Sequence, residues 1–149
     1  GLFHDLPESV TRDIVSPVKS AVPELSEVIG TIEQDLAAAE IYPLVEPGWG
    51  VDLEYFTKDE FASKVRCGGV IETTTSDAIN ARFNDDAHDP VDGEIIKVAD
   101  HLAAYAEAYK STTSGVRTPQ LDEGLQLAER WKGRTVAGID VGAIYADFR

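Results

Sequence analysis

Residues 89–110 read DPVDGEIIKVADHLAAYAEAYK, and this stretch decides the fold class. Asp89-Pro90 is a helix start, a cap residue followed by proline at the first helical position. From there Val91, Ile95, Val98, Ala99, Leu102, Ala106 and Tyr109 recur at helical spacing as far as about Lys110 and give one apolar face. Asp100 stands out in this helix. A carboxylate among packed side chains needs a partner cation or hydrogen bonds, because burying it bare is costly. The other reading puts Asp100 at the edge of the stripe, beside Lys97 three residues earlier or facing water. Residue types leave both open.

Working outward, the helical pattern recurs on both sides. Thr118-Pro119 starts another helix, with Leu121, Leu125, Leu127, Ala128 and Trp131 as its apolar residues and Gly133 just past its end. Toward the amino end, Pro23 suits a first turn, and Leu25, Val28, Ile29, Ile32, Leu36 and Ala39 form a stripe that stops before Pro43. Glu46-Pro47-Gly48-Trp49-Gly50 reads as a turn by composition. Thr57 and Glu60 fit a capping box, which predicts a short helix through Arg66 ended by Gly68-Gly69. Residues 70–89 carry the least pattern: a short helix over Ser76–Phe83, then an acidic loop to Asp89. The tail from Val136 to Phe148 suits either a final helix or a strand. The expectation is an all-α helical bundle, one domain over residues 1–149.

Composition excludes several function classes. The chain has 149 residues and a formal net charge of −14, which disfavours long nucleic acids, whose phosphates demand a basic surface. It does not disfavour a small phosphorylated substrate, because a bound divalent cation supplies local positive charge. Cys67 is the only cysteine, so there is no internal disulfide and no multi-cysteine zinc site. No apolar run reaches the ~18–20 residues that span a bilayer, and no secretory signal is legible. The expected location is the cytoplasm, with no membrane partner.

His4-Asp5, followed by Glu8, is the first candidate for chemistry. His4 and Glu8, four apart, share a helix face, whereas adjacent His4 and Asp5 do not. A lone dipeptide of this kind is ordinarily a capped or solvated patch. His88-Asp89 is a second such dipeptide, in an acidic loop, with Asp89 already explained as a cap.

The longer pattern is more specific. His4-Asp5, Glu8 three residues on, Thr11-Arg12-Asp13 and Pro17-Val18-Lys19 stand in register, and the first nineteen residues resemble the HD-superfamily phosphohydrolases. The branch they look like is the YfbR-type 5'-deoxynucleotidases. A second signature of that branch, Lys-x-Ala-Asp-x-Leu-x-Ala-Tyr, is matched by Lys97 to Tyr105. The resemblance implies an HD-domain helical bundle with His4, Asp5 and Asp100 as metal ligands. It implies Glu8 as the carboxylate that handles the water nucleophile or the leaving group, Asp13 as a second acidic residue near the scissile phosphate, and Lys19 as a residue that stabilises the loop or approaches phosphate. It also implies a further His ligand upstream of the HD pair. The expectation is therefore an HD domain incomplete at its amino end, the later part of a longer protein. The segment from Gly48 to Asp89 looks longer than in the compact nucleotidases.

The implied cofactor is a divalent transition metal ion, Mn, Co, Fe, Ni or Zn, since two histidines and two aspartates make a mixed nitrogen–oxygen shell. The implied reaction is hydrolysis of a phosphate monoester, with a nucleoside 5'-monophosphate as first candidate and a homodimer as a possible assembly. The alternatives are an HD hydrolase of a dinucleotide or nucleoside triphosphate, and a non-catalytic nucleotide-binding regulatory module. Glu8 and Asp13 favour an enzyme, because a pure binding module has no need of either.

Overall fold

The computed structural model describes residues 5–11 and 23–148, and they divide into two compact units, Gly1–Glu60 and Phe61–Arg149. In the first unit a turn over residues 5–7 leads into α1, Glu8–Thr11. Helix α2 spans Pro23–Leu36 and runs on through a π turn, Ala37–Ile41, into a 3-10 turn, Tyr42–Leu44. Pro43 therefore sits inside the tightened last turn, where its missing N–H costs nothing.

The packed face of α2 differs from the expected stripe. Val28 and Ile32 are 53% and 47% exposed, while Ile29, Glu33 and Ala37 are 7%, 7% and 0% exposed. The buried line is an i, i+4, i+8 series, and one member of it is a carboxylate.

Residues 46–50 are not a turn. Glu46 is an extended cap residue, Pro47 is the first helical residue, and α3 runs Pro47–Thr57. Proline at the first position outweighs the two glycines that follow it. Gly50 lets the helix approach Tyr42, whose backbone oxygen lies 3.2 Å from where a Cβ would sit. Thr57 ends this helix instead of capping the next one. Its fully buried hydroxyl donates to Leu53 O at 2.8 Å and lies 3.0 Å from Tyr42 Oη.

In the second unit the helix predicted through Arg66 is absent. Residues Lys64–Cys67 form β1 and Val70–Thr73 form β2, paired antiparallel with Lys64 opposite Thr73 and Cys67 opposite Val70. Gly68 and Gly69 have φ of +59° and +85°, the backbone that a two-residue primed hairpin turn requires. Lys64 also exchanges both backbone bonds with Val91 at 2.9 Å, so Val91 belongs to a strand bridge and not to a helix.

The helix start consequently shifts. Helix α4, Ser76–Ala78, is capped by Thr75 and extended by a π turn, Ile79–Phe83, as the short helix expected there. Helix α5 spans Gly93–Thr113, and its cap is Asp92, not Asp89: Asp92 Oδ1 accepts from Ile95 N at 3.1 Å. Asp89 instead has φ +42° and pairs with Arg66 at 3.2 Å. Helix α6, Pro119–Trp131, starts under Thr118 as expected. The tail is both of its alternatives in turn: a short hairpin of β3, Thr135–Val136, and β4, Ile139–Asp140, then α7, Val141–Ala146. Val98, Tyr105, Trp131, Val136, Val141 and Tyr145 form the core of this unit.

The architecture of the described residues is all-α with two small two-stranded sheets. No helix of the described residues is long and apolar enough to cross a membrane.

Gly93 gives a test whose sign separates packing from propensity. Alanine in an open helix is favoured over glycine by ~1 kcal/mol. Here a Cβ at position 93 would lie 2.2 Å from the Phe61 carbonyl carbon. Gly93→Ala is expected to destabilise the protein by roughly 1–3 kcal/mol, the usual cost of overpacking. Chemical denaturation of the two proteins checks this, and a more stable alanine variant would refute the close approach.

Candidate active site

The acidic end of the first unit is built on one turn of helix. Glu8 N donates to Asp5 O at 3.1 Å, so the two carboxylates Asp5 and Glu8 are carried on the same turn. Asp5 is exposed and Glu8 half-buried. Ser9 N donates to Leu6 O at 3.1 Å, and the Ser9 hydroxyl donates to the same oxygen at 2.7 Å. The turn is tied to α2 through Thr11, whose hydroxyl donates to Glu33 Oε1 at 3.2 Å and lies 3.4 Å from Glu8 O. His4, Asp13 and Lys19 lie outside the described residues.

Glu33 was not singled out by sequence reasoning. Its signal was present: counted in steps of four from Ile29 to Ala37, it is the one polar residue of the line. The apolar stripe drew attention to Val28 and Ile32 instead.

In the second unit Asp100 is exposed, on the side of α5 away from the core. It lies about 200° around the helix from buried Val98. Of the two readings of Asp100, the structure has the solvent-facing one. Lys97 is engaged elsewhere, with its ammonium 5.5 Å from the centre of the Phe61 ring.

His101, the next residue, turns inward. Its Nδ1 accepts the Trp131 indole N–H at 3.0 Å, so the proton of the neutral ring sits on Nε2. Burial holds its pKa below the ordinary histidine value, the Arg130 charge adds to this, and the Asp100 charge opposes it. His88 is likewise engaged, with Nδ1 2.7 Å from Asp85 Oδ1, and this contact lowers the Asp85 pKa. Among the described residues no three His, Cys, Asp or Glu side chains gather in a way that would hold a metal ion. The Asp5 and Asp100 carboxylates proposed as ligands lie one in each unit.

Tyr145 is a buried polar group in this region. It is 3% exposed, its ring meets Tyr105 edge-on at 4.9 Å, and its hydroxyl has no hydrogen-bond partner among the described residues. Burial first, and then the Asp100 charge, push its pKa up to about 12 from 10.0. The folded state therefore holds this proton more tightly than the unfolded chain. The stabilisation is fully present below pH 10.0 and is lost as the pH rises toward about 12. Tyr145→Phe removes an unsatisfied hydroxyl and is expected to stabilise the protein by about 1 kcal/mol at neutral pH. It is also expected to flatten the stability loss between those two pH values. Urea titrations of both proteins at neutral and alkaline pH check both effects, and a destabilised Phe variant would mean that the hydroxyl has a partner.

Against known proteins, a family model described as HD domain matches residues 1–129. The match begins before Asp5 and ends beyond Asp100, so it takes in both signature segments. No curated protein and no solved structure matches the chain. HD domains are in general phosphohydrolases that bind divalent metal ions. With most of its length inside that match, including both acidic segments, this chain belongs to the HD-domain family.

Proposed function

We propose that this chain hydrolyses a phosphate monoester, with a nucleoside 5'-monophosphate as its first substrate class. The observation that carries the reading is the turn that holds Asp5 and Glu8 together in an HD-family chain. His4, Asp5 and Asp100 are the residues proposed to hold a divalent ion. Their donor chemistry fits one: an imidazole nitrogen with two carboxylates suits Mn, Co, Fe, Ni or Zn, and Asp5 and Asp100 are both exposed. Such an ion, when bound, polarises a phosphoryl oxygen and lowers the pKa of water.

The remaining roles belong to the chain. Glu8, half-buried on its turn, accepts a proton as water adds to phosphorus. Asp13 orients the water or returns a proton to the alkoxide as the P–O bond breaks. Lys19 approaches the phosphate. The net charge of −14 is consistent with a small substrate gripped locally rather than a polymer gripped along a surface.

Glu8→Gln and Asp100→Asn, made in the intact protein, test this by failing differently. Glu8→Gln is expected to keep the metal and lose ~10²–10⁴-fold in turnover, the usual worth of general acid–base assistance. Asp100→Asn is expected to weaken metal retention as well as rate. Phosphate release from nucleoside monophosphates, measured beside metal content, checks both. Full activity in Glu8→Gln would remove its role. Nucleotide binding with no turnover under any divalent metal would favour a regulatory module.

A further inference from the structure

The packed line of α2 contains a carboxylate where the pattern calls for an aliphatic side chain. Ile29 and Ala37 flank Glu33 one helical turn away on each side, and all three are buried. A leucine at 33 would complete the line without any desolvation penalty, so the charge is a local departure from good packing. Its described hydrogen-bond donor is Thr11, at 3.2 Å, although Glu33 has further interactions besides this one. Thr11 is the last residue of α1, a helix of four residues. One turn of helix is not stable by itself, so its placement depends on what it is tied to. A hydrogen bond to a buried carboxylate is charge-assisted and directional, which suits it to fixing a position better than an aliphatic contact would.

We propose that Glu33, acting through the Thr11 hydroxyl, is a positioning residue that holds the Asp5–Glu8 turn in its working geometry. This rests on the phosphohydrolase reading, and it adds two residues to that reading that act through the turn. The chain of contacts is short: Glu33 Oε1 accepts from Thr11 Oγ1, which lies 3.4 Å from the backbone oxygen of Glu8. Removing the hydroxyl frees the turn that carries the base, while the fold of α2 stays as it is.

Thr11→Val, Thr11→Ser and Glu33→Leu in the intact protein test the proposal. Valine keeps the shape of threonine without the donor, and serine keeps the donor. Thr11→Val and Glu33→Leu are each expected to lower kcat on a nucleoside 5'-monophosphate by about ten- to a hundredfold, the scale of a small misplacement of a reacting group. In Thr11→Val, KM and the thermal unfolding midpoint should change little. Thr11→Ser should restore the parental kcat, and the Val/Leu double variant should be no slower than the slower single one.

Backbone amide exchange over residues 5–11 gives a readout independent of turnover. It should quicken in Thr11→Val and return to parental in Thr11→Ser. Parental kcat and exchange in Thr11→Val, a serine variant as impaired as the valine one, or losses that multiply in the double variant would each overturn the proposal. If Glu33→Leu does not fold, the valine and serine pair decides alone. If the parent protein itself releases no phosphate with any divalent metal, the phosphohydrolase reading fails, and the exchange measurement decides the positioning.

Discussion

Asp92 fixes the second unit at one point. One of its oxygens accepts from Ile95 N at 3.1 Å and lies 3.5 Å from the Ser63 hydroxyl, and the other accepts from the Ser76 hydroxyl at 2.6 Å. A single carboxylate thus ties the start of α5 to the segment before β1 and to the start of α4. Its negative charge is also well placed, since the exposed N–H groups at a helix start favour an anion. Gly93 follows at once, and the Phe61 backbone occupies the space where any other residue would place its first side-chain carbon. These two constraints set the first residue of α5. The rotation of a regular helix then sets every side chain after it, including the outward direction of Asp100 and the inward direction of His101.

Adjacent residues on α5 thereby acquire opposite duties. His101 is spent on the core, as the acceptor for Trp131, and burial disfavours its charged form. Asp100 is left exposed to solvent. Tyr145, buried among the core aromatics, feels that charge and resists ionising. An acidic side chain facing outward costs the fold little.

The long helices were legible because their signals are redundant. Helix α6 has a threonine cap, a proline at its first position and an amphipathic stripe, and it forms where those signals place it. Helix α5 was legible in its body but not at its start, because the Asp89-Pro90 pair imitates a cap while Val91 is claimed by the backbone of Lys64. That bond comes from 27 residues away in sequence, and no local pattern reports it. The β1–β2 hairpin was missed although Gly68-Gly69 between two short runs is a hairpin signal; the false capping box at Thr57 outweighed it. Among the candidate residues, Asp5, Glu8 and Asp100 take their roles from motif resemblance, whereas Glu33 shows only on the buried face of α2. A stripe of apolar residues on a helix suggests which side is buried, but two stripes 100° apart differ by one residue in register.

The β1–β2 hairpin bears on how copies of this chain behave toward one another. All four residues of β2 are exposed, Val70 and Ile71 among them, and among the described residues no third strand pairs with it. A free strand edge is a template for pairing with another chain. The edge is only four residues long and carries Glu72, and every copy brings a net charge of −14 to the encounter. Like-charge repulsion between copies opposes edge-to-edge pairing before the hydrogen bonds can form. That repulsion weakens as salt shortens its reach, from ~30 Å at 0.01 M to ~3 Å at 1 M. Colloidal stability in this chain is therefore bound to ionic strength, with the same acidic surface that turns away polyanions acting as the guard on an otherwise adhesive edge.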